Sequence, residues 1–160
     1  MNSMQLTTTP MVATGMGVHR SPADTFAAFV DPALTKRFWI NDSTGPLEPD
    51  TTVTWSFNAS GAQAEVVVRR FDPGKRLVFD WGPTDTKFTV DIEFAPWRGA
   101  GCYVHITEVG FTGDADQLAA HATDSTSGFT LVLCSLKALL EHDLELGAVR
   151  DRDPSASGKD

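Results

Sequence analysis

The sequence predicts an α+β domain in which one long C-terminal helix lies on an antiparallel sheet. Three observations lead there. From Phe129, at 100° per residue, Phe129, Val132, Leu133, Leu136, Leu139, Leu140 and Leu144 share one apolar arc about 140° wide. The middle of the chain holds five consecutive segments that alternate apolar and polar residues, separated by short turn signals. Between a first strand and those segments stand two helix-start signals in succession, Ser21-Pro22-Ala23-Asp24 and Asp31-Pro32-Ala33.

In chain order, the Thr- and Ser-rich residues 1–10 have no period and are expected to be loose. Met11 to His19 reads as a strand with Val12, Thr14, Met16 and Val18 on one face, and with Gly15 and Gly17 weakening the other. A helix from Ser21 to Val30 turns Phe26, Phe29 and Val30 inward, and a second short helix after Asp31 carries Leu34, Phe38 and Trp39. Asn41 to Asp50, with Gly45, Pro46 and Pro49, is a loop. The five strands follow. Thr52 to Asn58 places Val53, Trp55 and Phe57 on one face, and Ala59-Ser60-Gly61 turns the chain into Ala62 to Phe71, with Ala64, Val66 and Val68 together. Asp72-Pro73-Gly74-Lys75 is a turn before Arg76 to Trp81, where Leu77, Phe79 and Trp81 alternate with Val78 and Asp80. Lys87 to Ala95 and Cys102 to Val109 complete an antiparallel meander, about six strands in all. Asp114 to Thr123 is expected to form a short helical turn through Leu118, Ala119 and Ala120 that leads into the long helix, which is capped by Asp124 and runs to about Leu146. The domain is expected to span 11–147, and the charged, small-residue tail 148–160 to be disordered.

At 160 residues the chain is one domain with enough length for a sizeable core. The net charge of -8 argues against nucleic acid or an anionic membrane as partner. No apolar run is long enough to span a membrane, and no basic segment followed by an apolar run marks a secretory leader. Cys102 and Cys134 form no paired motif and suit a reduced compartment, so a cytoplasmic location is expected. No phosphate-binding glycine loop and no set of three metal ligands at matching spacing can be read, so neither metal nor cofactor is expected.

The order of strand, two short helices, five strands and one long helix resembles the helix-grip fold of the START and birch-pollen-allergen superfamily. Within it, the chain resembles the bacterial homologues of the activator of the heat-shock chaperone ATPase. The resemblance rests on Ser21 to Phe26; on Asp31-Pro32-Ala33-Leu34 with Phe38-Trp39; on Phe71 to Phe79 ending at Trp81; on Thr107 to Phe111; and on Gly128-Phe129. It covers about Val12 to Leu146. The family often has paired tryptophans where this chain has Phe38-Trp39, and Gly-Trp where it has Gly128-Phe129; both exchanges keep an aromatic ring.

The resemblance implies a cavity between helix and sheet. Trp39, Trp55, Phe57, Trp81, Phe88, Val90, Val104, Ile106, Glu108, Phe129 and Leu133 are its candidate lining, because ligand sites are mostly apolar with a few placed polar groups. Glu108 is the candidate catalytic residue, since it shares the inward face with Val104 and Ile106. A carboxylate there either sits in water at the strand end, the commoner case, or is desolvated and has a role. His121 and Asp124, three apart, can meet on one helical face near the mouth. Three functions fit: a binding protein for a hydrophobic or aromatic small molecule, which is preferred; a chaperone-associated partner, as the resemblance implies; or an enzyme of the polyketide cyclase type. A homodimer is the common assembly for such small domains.

Overall fold

The computed structural model describes residues 8, 10–57, 62–83 and 85–154. The elements are β1 (Val12–Val18), α1 (Pro22–Val30), α2 (Pro32–Thr35), β2 (Asp42–Ser43), β3 (Thr52–Phe57), β4 (Ala62–Asp72), β5 (Arg76–Gly82), β6 (Phe88–Trp97), β7 (Gly101–Val109), α3 (Ala115–His142) and α4 (Ala148–Asp151). All strands join one antiparallel sheet in the order β1-β7-β6-β5-β4-β3-β2. This is the helix-grip arrangement, with α3 crossing the face that carries the alternating apolar residues.

The local signals act as their chemistry dictates. Ser21 Oγ accepts the N–H of Asp24 at 3.1 Å, with Pro22 in the first turn where its missing N–H costs nothing. Asp31 does the same for α2, which lasts only one turn before Phe38 and Trp39 fold inward. Gly74 takes φ +71° in the β4–β5 turn, a conformation a side chain would strain. Phe26 meets Phe71 and Phe94 edge-on, and Phe29 meets Phe38, Trp39 and Phe94, so α1 closes one end of the core.

Among the described residues β1 has no strand neighbour on its outer side, and side chains of α3 contact it there. Thr14 and Thr130 hydroxyls lie 3.0 Å apart. Lys137 Nζ donates to Gly17 O at 2.8 Å and to Glu141 Oε2 at 2.6 Å, and the N–H of His19 donates to the same Glu141 oxygen at 3.1 Å. At the end of this edge, the Gly17 carbonyl and the His19 N–H are thus taken up by side chains rather than left for another strand.

Several expectations need correcting. The long helix starts at Ala115, nine residues before the expected Asp124. Its cap is Asp114, whose carboxylate accepts from Gln117 N at 2.9 Å while Gln117 Oε1 accepts from Asp114 N at 2.9 Å. Asp124 lies inside the helix and caps nothing; it accepts from Arg152 at 2.6 Å. The helix ends at His142 with Asp143 left-handed at φ +51°, so Leu144 leaves the apolar arc and is 52% exposed. The Asn41–Asp50 loop is not wholly irregular: Asp42 and Ser43 pair with Ser56 and Trp55, and Leu47 is buried with its N–H on Val30 O. Within the tail expected to be disordered, Ala148–Asp151 is helical and Arg152 ties it to α3. Gly15 and Gly17 do not merely weaken β1: the rings of Tyr103 and Trp97 occupy the space their side chains would take. The Ala59-Ser60-Gly61 turn lies outside the described residues.

Candidate functional site

The inward faces of β3, β5, β6 and β7 and the underside of α3 converge on aromatic rings from separate elements. Trp39 lies 4.9 Å from Trp55, 5.7 Å from Trp81 and 5.9 Å from Phe129, ring centre to ring centre. Phe79 sits beneath, touching Trp39, Trp55 and Trp81. Phe57 reaches Trp81 from the end of β3. All but one of these contacts are edge-on, the geometry in which the positive edge of one ring meets the negative face of another; the Trp39–Phe79 pair is tilted. Val90, Val104, Ile106 and Leu133 form a fully buried floor. The rings themselves fill the space between helix and sheet.

Glu108 lies at one end of this cluster. The alternation of β7 carries it inward with Val104 and Ile106, and it is 1% exposed. The solvated strand-end reading therefore does not hold. The indole N–H of Trp81 donates to Glu108 Oε2 at 2.8 Å. His121 Nε2 lies 3.0 Å from Glu108 Oε1, and Ser125 Oγ lies 3.3 Å from the same nitrogen. The imidazole stacks on Phe111 at 4.3 Å and tilts on Phe88 at 4.8 Å. A carboxylate buried this deeply must keep its hydrogen bonds, and here each oxygen has one.

One proton lies between Glu108 and His121. Either Nε2–H donates to a carboxylate, or a protonated carboxyl donates to a bare Nε2. Ser125, His121 and Glu108 do not make a nucleophile triad, because both oxygens approach the same ring nitrogen and no acid orients the other through this contact. The arrangement can hold a proton inside an apolar wall, and His121, partly exposed, links it to solvent.

The three-residue spacing pairs His121 with Asp124; the structure pairs it with Glu108 and turns Asp124 to Arg152. Ser125 and Phe111, which also meet His121, are not among the candidates the sequence offers. The signal existed: His121, Ser125, Phe129 and Leu133 are four apart and form one stripe, visible once the helix extends two turns further back. Asp80 lies on the opposite sheet face, hydrogen-bonded to Arg69 at 2.8 Å and Thr89 at 2.7 Å. A pocket of about 170 Å³ opens to the surface beside Trp39 and Phe57.

The model of the family described as "Activator of Hsp90 ATPase homolog 1-like protein" matches residues 19–141. The chain belongs to this family. Its fold agrees with solved relatives. SSP2350 from Staphylococcus saprophyticus is 28% identical over 86% of this chain and 96% of its own, with a TM-score of 0.72. The Aha1 dimer from Colwellia psychrerythraea is 19% identical over 86% and 98%, with a TM-score of 0.65. DynU16, a putative protein in the dynemicin biosynthetic locus, is 14% identical over 84% of this chain and 48% of that one, with a TM-score of 0.73. The last two likenesses are of fold alone. No curated protein matches. Within this Hsp90-activator-like family member, no helix among the described residues is long and apolar enough to cross a membrane.

Proposed function

We propose that the protein binds a hydrophobic or aromatic small molecule between α3 and the sheet, with Trp39, Trp81 and Phe129 as its walls and Glu108 as its polar anchor. The observation that carries this reading is Glu108 itself. A carboxylate 1% exposed, held by an indole and an imidazole at the edge of an aromatic cluster, adds nothing to a core that apolar residues would not supply more cheaply. It is the type of placed polar group that orients a ligand in an apolar site. The walls come from the turn after α2, from β5 and from α3, and because their rings fill the space at rest, a ligand would have to displace them by side-chain rotation.

Native mass spectrometry of freshly purified protein tests this. A mass excess lost on denaturation supports the reading, and exchange of that species against added aromatic compounds identifies its class. Absence of any excess, with no binding from a panel of apolar and aromatic compounds, overturns it.

A second reading, an enzyme of the polyketide cyclase type, draws on the Glu108–His121 contact, since two titratable groups at hydrogen-bond distance inside an apolar wall are what general acid–base chemistry needs. Loss of turnover with retained binding in Glu108→Gln separates it from simple binding. Family membership also supports a chaperone-associated role, which co-purification with the chaperone ATPase would test.

A further inference from the structure

The pocket beside Trp39 and Phe57 differs in chemistry from the aromatic cluster behind it. Its lining includes those two residues, whose rings also belong to the cluster through Trp39–Trp81 and Phe57–Trp81 contacts. Its rim brings in Lys36, Arg37 and Arg150 against one lining carboxylate, Glu145. The chain carries a net charge of -8, yet the lining itself holds three cations and one carboxylate. At about 170 Å³ it is somewhat larger than a cavity that accepts benzene, so one aromatic ring fits.

The cations are not idle. Lys36 pairs with Asp42 at 3.5 Å, Arg150 with its neighbour Asp151 at 2.8 Å, and Arg37 with Asp143 at 2.8 Å and Glu145 at 3.7 Å. Those acids are mostly in water: the side chains of Asp143 and Glu145 are 83% and 56% exposed, whereas Arg37 is 35% exposed. Ion pairs of that kind contribute little and are readily exchanged. A carboxylate delivered by a ligand that also meets Trp39 and Phe57 would compete with these exposed acids for Arg37, whose planar guanidinium can bind it in a bidentate manner.

We infer that this pocket is an anion subsite at the mouth of the aromatic site, and that the ligand is an aromatic acid: its ring lies on Trp39 and Phe57, and its carboxylate lies between Arg37 and Arg150. This rests on the binding function proposed above and narrows its ligand class.

Phenylacetate and phenylacetamide are close in shape and differ in charge. Each is titrated into ¹⁵N-labelled protein, with backbone amide shifts as the readout, for the wild type, Arg37→Gln and Glu145→Gln. The inference requires phenylacetate to move amides of Phe38 to Asn41 and of Gly147 to Arg150, and to bind more tightly than phenylacetamide. Arg37→Gln weakens phenylacetate by about fivefold, the scale of one partly exposed ion pair, and leaves phenylacetamide unchanged. Glu145→Gln, which removes the competing carboxylate, acts in the opposite direction on phenylacetate alone. Equal affinity for the two compounds, or substitutions that change both alike, overturns the anion subsite while leaving an aromatic binding protein. No binding of either compound at this pocket also overturns it; shifts confined to residues around Trp81 and Glu108 would then still support the broader binding function, and no shift anywhere would count against both.

Discussion

The indole N–H of Trp81 donates to Glu108 Oε2 at 2.8 Å, and the other carboxylate oxygen meets His121 at 3.0 Å. Strand β5, strand β7 and helix α3 therefore meet at one buried carboxylate. Glu108→Gln keeps an oxygen for Trp81 and an amide for a bare His121 nitrogen, so it is expected to cost no more than about 1 kcal/mol. Glu108→Ala strands the indole and the imidazole and opens a cavity, and is expected to cost about 2–4 kcal/mol. Urea unfolding of the two variants measures the difference; equal costs would show that these hydrogen bonds contribute nothing.

Glu141 makes stability depend on acidity. Burial acts to raise its carboxyl, but hydrogen bonds from Lys137 and from the His19 N–H outweigh burial and hold it below the usual carboxylate range. A carboxyl depressed in the folded state stabilises above its unfolded value, about 4.3 for Glu, and loses that contribution as pH falls through the folded value. Wild type is therefore expected to exceed Glu141→Gln in stability at pH 7, and the gap to close below about pH 4. A gap unchanged by pH would contradict this.

Gly17 lies under the indole of Trp97, which also touches His19 and lies beneath the Arg98 guanidinium. Gly17→Val is expected to push that ring away and cost about 1–2 kcal/mol. In a Trp97→Ala background the same substitution has no indole to displace and adds a strand-favouring side chain, so most of its cost should vanish. Additive costs in the double-mutant cycle would show that the ring is not what excludes a side chain at Gly17.

Asp114 holds the first turn of α3 through a reciprocal cap with Gln117. Asp114→Ala is expected to cost about 1 kcal/mol and to speed amide exchange through the first two turns, loosening His121 before Phe129. Asp124→Ala should leave that turn unchanged and instead release Ala148–Asp151, because Asp124 serves Arg152.

The framework was legible because its signals are local. Alternation placed Val104, Ile106 and Glu108 inward on β7, and Ser21-Pro22 and Asp31-Pro32 announced α1 and α2. The start of α3 was not legible in the same way. Its first turns, from Ala115 to Ser127, carry only Leu118 as a large aliphatic residue, so the apolar stripe fades, and only the Asp114–Gln117 cap marks the beginning. That lost extension hid the site: His121 and Ser125 reach Glu108 only from a helix that continues back past Asp124. The fate of Glu108 was beyond reach, because its burial depends on where Trp81 and His121, 27 and 13 residues away in sequence, are brought. The position of Leu144 turned on a backbone event, the left-handed cap at Asp143, which a periodicity count does not register.

The binding claim is tested most directly at the indole N–H of Trp81. In a ¹H–¹⁵N spectrum of the protein with its tryptophan side chains assigned, that resonance reports the bond to Glu108. Titration with aromatic compounds is expected to move it in step with the ring-facing amides around Phe129, and Glu108→Gln is expected to shift its starting position and weaken the response. Compounds that bind while the Trp81 indole resonance stays in place would show that the Glu108 cluster is core and that any ligand sits elsewhere.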